Sequence, residues 1–258
     1  MGTNGSSVSQ IERGCFSVVT AYRQDAGDDG KFFPNNINGL LEVVSTLKAG
    51  NMDFRFGTRE NVLDNRQAMA RRFGLKLNDF AYMCAEMSDK IALVTKANGK
   101  GTPCDAMFTA KSRVFPTLLP GDCAPIFIVH RDVWGVIHAG RANASAIVPA
   151  SISWLKDSFG INPSALIAML GPTIRDTYVF PYDKRKYIED QLQDSAWTGH
   201  IDEESDGYHV HLDSCVQYLL RKNGVGRIID LGMDTAKGFF SHSLGIEGRH
   251  ACFIGKPA

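Results

Sequence analysis

The sequence predicts a single α/β domain in which a mixed central β-sheet is flanked by helices. Apolar runs typical of strands alternate with segments of helical periodicity from about residue 113 onward. With 258 residues, 44% of them hydrophobic, the chain is long enough to bury a sizeable core. We expect residues 1–13 to be a flexible N-terminal tail and residues 14–258 to form the single domain.

Composition and charge exclude several classes of protein. Lys and Arg together number 28, as do Asp and Glu, and the resulting net charge of zero argues against a nucleic-acid or membrane partner. No apolar run approaches the roughly 20 residues that span a bilayer, and the N-terminal residues lack the features of a secretion signal. Six isolated cysteines without a CxxC pair indicate free thiols in a reducing compartment. We therefore expect a soluble, cytoplasmic monomer or homodimer that acts on a small molecule.

The first part of the chain contains strand and helix signals in turn. Residues 14–22 and 40–47 are apolar and rich in Val and predict strands, and the Gly/Asp-rich residues 25–31 between them predict an exposed turn. Residues 58–73 predict a helix because their apolar positions recur at helical spacing. Gly74 is typical of the residue that ends such a helix.

Strands and helices alternate through the rest of the chain. Two strand pieces around a turn are expected at residues 80–95, and a further strand at 102–110, which Asp105 opens as a turn or capping residue. Asp213 is expected to cap the last helix, and the polar stretch 194–207 is expected to be a solvated loop. The other expected strands are 114–119, 124–129, 133–137, 165–170 and 227–231, and the other expected helices are 142–159, 184–193 and 216–222.

One cysteine and one histidine stand at matching ends of two apolar runs in the centre of the chain. Cys123 follows a Pro-Gly turn directly before the run 124–129, and His138 ends the next run. A sheet can bring these two side chains together, as a thiolate nucleophile or a soft metal ion requires. A buried structural cysteine and a hydrogen-bonded strand-end histidine are the alternative interpretation.

The cysteine turn and the histidine strand carry a family resemblance. PGDCAPIFIV, followed by IHAG, resembles the pattern ADC-x-P … HAG-W-R-G of the laccase-domain proteins. These YfiH-type proteins are described as multicopper polyphenol oxidases and as zinc-containing purine nucleoside phosphorylases. Further motifs follow in the family's order, and the matches extend from about residue 44 to residue 255. They include VLDNRQAMARRFGL, GPTIRDTYVF, FFSHS and GRHA.

The resemblance implies a fold, an activity and a site. It implies the YfiH-type α/β fold and the phosphorolysis or deamination of purine nucleosides such as adenosine or inosine. A metal at Cys123 and His138 would activate water or orient the substrate, and these two residues and Asp122 are expected to be catalytic. Zinc is the expected metal. Copper fits less well, because a blue-copper site needs two histidines that converge on a cysteine.

Departures from the family pattern fall on the expected site. Met87 occupies the position of the third metal ligand, a histidine in the family, and a thioether suits Cu(I) better than Zn(II). Ala142 stands at the position of a family arginine. We expect the remaining arginines near the motifs, Arg141, Arg175 and Arg249, to bind the substrate or phosphate, because the guanidinium fork matches an oxyanion.

These departures leave three hypotheses open. The first is a metal-assisted enzyme of purine nucleosides. The second is a metal-free hydrolase or amidase, of the type that edits peptidoglycan precursors, with Cys123 as nucleophile, His138 as base and a nearby Asp that orients the base. The third is an inactive homologue that binds a ligand or a partner protein. In addition, His209 and His211 alternate on a predicted strand and could chelate a metal ion, or be solvated surface residues.

Overall fold

The computed structural model describes residues 18–20, 29–97 and 99–257 of the chain. The expected tail 1–13 lies outside these residues, as do the ends of the first predicted strand and most of the predicted turn at 25–31. None of the described helices is long and apolar enough to cross a lipid bilayer. The strands are β1 (Val18–Thr20), β2 (Phe32–Ile37), β3 (Leu40–Ser45), β4 (Phe80–Cys84), β5 (Ile91–Leu93), β6 (Gly101–Pro103), β7 (Ala106–Thr109), β8 (Phe115–Leu118), β9 (Ala124–Val129), β10 (Trp134–Ala139), β11 (Ile167–Leu170), β12 (Val179–Phe180), β13 (Ile201–Glu204), β14 (Gly207–Val210), β15 (Arg227–Asp230) and β16 (Cys252–Gly255). The α-helices are α1 (Arg59–Arg72), α2 (Ala144–Phe159), α3 (Arg185–Gln191) and α4 (Leu212–Lys222).

Two mixed β-sheets pack face to face at the centre of the molecule. One has seven strands in the order β1-β15-β11-β9-β10-β7-β5, and the other has six in the order β2-β3-β16-β8-β4-β6. Apolar side chains from both sheets form one buried cluster between them, because alternate residues of a strand point to the same face. Members of this cluster include Val44, Met107, Phe127, Met169 and Ile254. A short antiparallel sheet, β12-β14-β13, completes the fold.

Helices cover the outer faces of both sheets. Helices α2 and α4 bury Ile147 and Val216 in one cluster with Ile126 of the seven-stranded sheet. Helix α1 buries Met69 against Phe253 of the six-stranded sheet. The predicted α/β architecture, a mixed sheet flanked by helices, is therefore confirmed. The second large sheet behind the first was not predicted.

The helix boundaries follow from local signals in the sequence. Helix α1 begins after Thr58, whose hydroxyl accepts a hydrogen bond from the Asn61 N–H at 3.3 Å. Helix α2 ends at Gly160, which has a φ of 65°, a left-handed conformation that glycine adopts without a steric penalty. The helices predicted at 58–73, 142–159 and 184–193 are thus confirmed, within two residues at each end.

Two local predictions were wrong. Helix α4 begins at Leu212, so Asp213 lies in its first turn instead of capping it, and the Asp213 carboxylate is engaged by Arg175. The stretch predicted as a loop at 194–207 contains strand β13, which pairs with β14. Strand β13 is at a sheet edge and three of its four side chains are exposed, so its sequence lacks the apolar alternation that identifies a strand.

Antiparallel pairing of β9 and β10 brings the central motifs together. His138 pairs with Pro125, and Ala139 pairs with Ala124. Cys123 directly precedes β9 and therefore lies at the same edge of the sheet as the end of β10. The neighbouring strand β7 pairs Ala106 with Ile137, which places the residue before β7 at this edge as well.

Candidate active site

The Cys123 thiol and the His138 imidazole lie side by side at the edge of the seven-stranded sheet, close enough for each to shift the pKa of the other. The close approach of the two motifs depends on Gly140, because a Cβ at this position would lie 2.9 Å from the Cys123 sulfur. His138 is buried and Cys123 is partly exposed, and both line one cavity. The fold thus places this cysteine and histidine together, and their predicted catalytic role stays a prediction.

Asp105 is the third member of this group. Its Oδ1 lies 2.8 Å from Nδ1 of His138, which leaves Nε2 of the ring for the Cys123 sulfur. The carboxylate is fully buried, and it also accepts hydrogen bonds from the backbone N–H groups of Glu86, Met87 and Ser88. Asp105 therefore organises a turn, as predicted, and in addition orients the histidine, which the sequence motifs did not reveal.

The charges of the three residues depend on one another. Burial alone would raise the pKa of Asp105, but hydrogen bonds from His138, Ser88 and Glu86 lower it to about 2. Burial opposes protonation of His138, yet the Cys123 sulfur and the Asp105 carboxylate outweigh it and raise the pKa of His138 to about 9. Burial likewise opposes ionisation of Cys123, and the charge and hydrogen bond of His138 lower its pKa below 9.0. Each of the two groups thus stabilises the charged form of the other, the thiolate of Cys123 and the imidazolium of His138.

Asp122, which the sequence motif also singled out, faces away from this pair. Its Oδ1 accepts hydrogen bonds from the hydroxyls of Thr235 (2.8 Å) and Ser241 (2.7 Å), and its Oδ2 accepts one from the Ser243 N–H (2.6 Å). Although burial alone would raise the pKa of Asp122, these bonds lower it. No hydrogen bond joins it to His138 in the described structure. Asp122 therefore fixes the Cys123 turn to the chain segment around residues 235–243.

Asn143 joins the histidine strand to helix α2 and to the turn above the site. Its Oδ1 accepts a hydrogen bond from the Gly140 N–H at 2.7 Å, and its Nδ2 donates to the backbone carbonyls of His138 and Ser88, both at 3.2 Å. The end of β10, the start of α2 and the 86–88 turn are thus held at fixed distances. A site on such cross-linked elements keeps its geometry without a bound ligand.

Met87 lies near the Cys123 sulfur, and both residues approach Gly140. Its backbone is in the left-handed region, with a φ of 56°, and its side chain is 43% exposed. A Cβ on Gly140 would lie 3.1 Å from the Met87 sulfur and 2.9 Å from the Cys123 sulfur, so both sulfur atoms border the same small space. The position at which the family has a histidine is therefore occupied here by a thioether that contacts the same space as the thiol.

The residues around Cys123 do not fit zinc. A catalytic zinc ion takes three protein ligands of nitrogen, thiolate or carboxylate type, whereas Met87 supplies a thioether beside Cys123 and His138. His242 lines the cavity, but its ring nitrogens do not come within 4.8 Å of both the Cys123 sulfur and a His138 ring nitrogen. In the described part of the chain, three His, Cys, Asp or Glu ligands meet in one group, formed by Glu204, Asp206 and His209. That group lies on the β13–β14 hairpin, outside the cavity.

A cavity of about 400 Å³ opens above the cysteine and carries arginine side chains. Arg141 lies over the Phe180 ring at 4.5 Å, and Arg249 lies over the Phe56 ring at 4.4 Å. Neither guanidinium has a carboxylate partner among the described residues, and Arg249 donates to the Gly248 carbonyl at 2.6 Å. The lining residues are Arg55, Ala85, Met87, Leu119, Pro120, Gly121, Asp122, Cys123, His138, Arg141, Ala142, Tyr187, His242 and Arg249.

Arg175, the third arginine predicted to bind an anion, lies apart from Arg141 and Arg249. Arg175 donates hydrogen bonds to Asp230 and Asp213, both at 2.5 Å, and to the Met233 carbonyl at 3.1 Å. These bonds occupy its guanidinium group, and Arg175 does not line the cavity. Arg55 lines it instead and is paired with Asp53 at 2.5 Å. The sequence offered no motif for Arg55, because its position depends on a turn that packs against Arg249 from a distant part of the chain.

Comparison with solved structures shows the same fold in other proteins. A protein of Bacillus licheniformis, YfiH, has a structure that superposes with a TM-score of 0.80 at 20% identity, over 91% of this chain and 99% of that one. YlmD from Geobacillus stearothermophilus superposes with a TM-score of 0.77 at 23% identity, over 86% of this chain and 93% of that one. The Neisseria meningitidis protein NMB0706 superposes with a TM-score of 0.72 at 18% identity, over 88% and 100% of the two chains.

Sequence comparison identifies the family. No curated protein matches the chain. The model of the family described as multi-copper polyphenol oxidoreductase laccase matches residues 43–256, which is most of the chain. This range contains Met87, Cys123 and His138, so the departures described above lie within the family's own domain. The chain belongs to this laccase-domain family, as its sequence motifs predicted.

Proposed function

We propose that this protein is a metal-independent thiol hydrolase of purine nucleosides. The observation that carries the proposal is the group Cys123, His138 and Asp105, in which Asp105 is hydrogen-bonded to His138 and His138 lies beside Cys123 in a cavity. A nucleophile, a base and a carboxylate that orients the base are the three parts of nucleophilic catalysis. The substrate class comes from the family resemblance.

Deamination of adenosine illustrates the chemistry that these residues support. The Cys123 thiolate attacks the ring carbon that bears the amino group and forms a C–S bond. The His138 imidazolium gives its proton to the amino group, the C–N bond breaks, and ammonia leaves. Neutral His138 then takes a proton from water, whose oxygen attacks the same carbon. The C–S bond breaks, the thiolate returns, and inosine is released.

Asp105 serves this cycle by holding one tautomer of His138. Because its carboxylate accepts a hydrogen bond from Nδ1–H of His138, Nε2 is the nitrogen that exchanges a proton with the reacting atoms. The negative charge of Asp105 also stabilises the imidazolium that the first step consumes and the second step restores. Asp105 fills the role of the nearby Asp in the hydrolase hypothesis, whereas Asp122, which was expected to be catalytic, makes no hydrogen bond to His138 in the described structure.

A second candidate reaction is phosphorolysis of the nucleoside. The observation that favours it is the pair Arg141 and Arg249, whose guanidinium groups line the cavity without carboxylate partners among the described residues. Such groups bind phosphate. In this reaction a phosphate oxygen forms a bond to the sugar carbon while the bond to the base breaks, and the products are the free base and ribose 1-phosphate.

The two reactions are tested in one assay. The purified protein is incubated with adenosine or inosine, with and without phosphate and with and without a chelator, and the products are separated by chromatography. The proposal expects inosine and ammonia from adenosine, unchanged by the chelator and lost in Cys123→Ser. Cys84→Ser is the matched control, since Cys84 is an exposed free cysteine and we expect this variant to retain turnover. Turnover that survives in Cys123→Ser, or that the chelator abolishes, contradicts the thiol mechanism, and base release that requires phosphate selects phosphorolysis.

A further inference from the structure

We propose that Tyr187 is the specificity-determining residue of this cavity and that its ring stacks against the planar part of the substrate. The inference rests on the proposed function for the identity of the substrate, but not for the evidence that a planar group binds. No family motif covers Tyr187, which lies on the short helix α3 outside the cysteine and histidine motifs.

Large apolar side chains are exposed at few places in the described structure, and two of those places are at the cavity. Met87 and Tyr187 are 43% and 42% exposed, and both line the space above Cys123. Exposed aromatic and thioether groups at a concave polar site are typical of ligand contacts. The other exposed large apolar side chains are Phe54, Leu93, Tyr182, Tyr218 and Leu244. None of these five lines the cavity.

The Tyr187 ring is held in a fixed orientation by the residues behind it. It stacks on the Phe180 ring, with 5.9 Å between centroids and 22° between planes. Phe180 is buried and is held in turn by an edge-on contact with Tyr178 at 5.0 Å. Since Phe180 covers part of one face of the tyrosine ring, the ring offers its remaining surface to the cavity without a loss of side-chain freedom on binding.

Phe180, which packs against the Tyr187 ring, also contacts Arg141. The Arg141 guanidinium lies 4.5 Å from the centre of the Phe180 ring, and its positive charge contributes to the lowered pKa of Cys123. A ligand whose planar ring stacks on Tyr187 shares one cavity with Arg141 and Cys123. A base offers an aromatic face to Tyr187 and polar edge atoms to the other two residues, whereas a sugar or an aliphatic amide lacks the aromatic face.

The test measures binding rather than turnover. Cys123→Ser protein, which lacks the nucleophile, is titrated with adenosine and, separately, with ribose 1-phosphate, in the background of Tyr187→Ala or Tyr187→Phe. Loss of base stacking weakens binding by about 5- to 150-fold. We expect that loss for adenosine in Tyr187→Ala, with little change in Tyr187→Phe or for ribose 1-phosphate. Tyr218→Ala is the matched control, since Tyr218 is 38% exposed and lies on α4 away from the cavity.

Three results overturn the inference. They are adenosine binding that is unchanged in Tyr187→Ala, equal losses for adenosine and ribose 1-phosphate, and adenosine that does not bind to the Cys123→Ser protein at all. Thermal unfolding of each variant identifies a loss that comes from misfolding, and Tyr187→Leu, which keeps apolar volume but has no aromatic ring, then serves as the deciding variant. Failure of the thiol mechanism is distinguishable, because it appears in the turnover of the native protein and leaves the stacking titration unaffected.

Discussion

Asp105→Asn tests the proposed mechanism most directly, because it removes a charge and changes the volume of the side chain little. In the native protein the carboxylate accepts from Nδ1 of His138 at 2.8 Å and from the N–H and hydroxyl of Ser88, both at 2.8 Å. An asparagine has one acceptor oxygen, so its NH₂ group must face either the histidine or the N–H groups of the turn. If it faces the histidine, it selects the tautomer with the proton on Nε2, which cannot accept a proton there.

The magnitude follows from the charges in the site. His138 has a pKa of about 9 against an ordinary 6.5, and Asp105 contributes to this rise through both its hydrogen bond and its charge. Without that charge the imidazolium is less stable, the pKa of Cys123 rises, and the thiolate forms at higher pH. We expect turnover to fall by about 10⁴-fold, as for a wrong histidine tautomer in a related arrangement. Free energy of unfolding falls by about 1–3 kcal/mol, because buried donors lose their acceptor.

The assay is the rate of Cys123 alkylation by iodoacetamide as a function of pH, followed by mass spectrometry of the Cys123 peptide. In native protein the rate rises through the lowered pKa of the thiol, so the midpoint lies below 9.0. In Asp105→Asn the midpoint moves upward. Glu86→Gln is the matched control, since Glu86 lies in the same turn and pairs with the exposed Lys90. A folded Asp105→Asn protein with the native alkylation rate and midpoint would contradict the proposed role of Asp105.

Three further predictions concern residues around the site. Met87→His supplies a third zinc ligand, so about one zinc per chain should appear by elemental analysis, and its absence would show that the ligand geometry is wrong for zinc. Gly140→Ala places a Cβ 2.9 Å from the Cys123 sulfur and should slow alkylation at least tenfold; a native rate would mean that the sulfur can shift freely. Burial lowers the pKa of His250 to about 3, so its neutral form stabilises the fold above about pH 6.5 and that stability is lost as the pH falls toward 3. Between pH 7 and pH 4.5, the free energy of unfolding measured in urea should fall by roughly 2 to 3 kcal/mol more in the native protein than in His250→Phe. Equal falls in the two proteins would contradict this assignment.

The central motifs could be predicted from the sequence because their structure is local. Strands β9 and β10 are consecutive, so their pairing follows from two apolar runs and a short turn, and it brings Cys123 to His138. Asp105 lies 33 residues before His138, and its side-chain partner depends on which strand is added next to β10. Periodicity identifies strands but does not state their order in a sheet, so this contact could not be predicted.

Contacts between distant segments account for the other differences. The six-stranded sheet pairs β16 with β3, and Cys252 lies opposite Val44, two residues that no local pattern connects. Arg175 was expected to bind the substrate or phosphate because it lies in a family motif, GPTIRDTYVF, and its guanidinium fork matches an oxyanion. Its charge is instead matched by Asp230, which lies 55 residues further along the chain. An arginine's partner is a tertiary property, and residue type alone favours neither a substrate nor a carboxylate.

The Asp122 network has a consequence for biosynthesis. The carboxylate beside the reactive cysteine is held by Thr235 and Ser241, which are 113 and 119 residues further along the chain. A ribosome adds these residues several seconds after Cys123, at about 5–20 residues per second. During that interval the cysteine turn lacks its anchors, and strand β16 has not yet entered the six-stranded sheet between β3 and β8. The nascent chain therefore carries its cysteine turn without these anchors until residues 235–243 and strand β16 have been made.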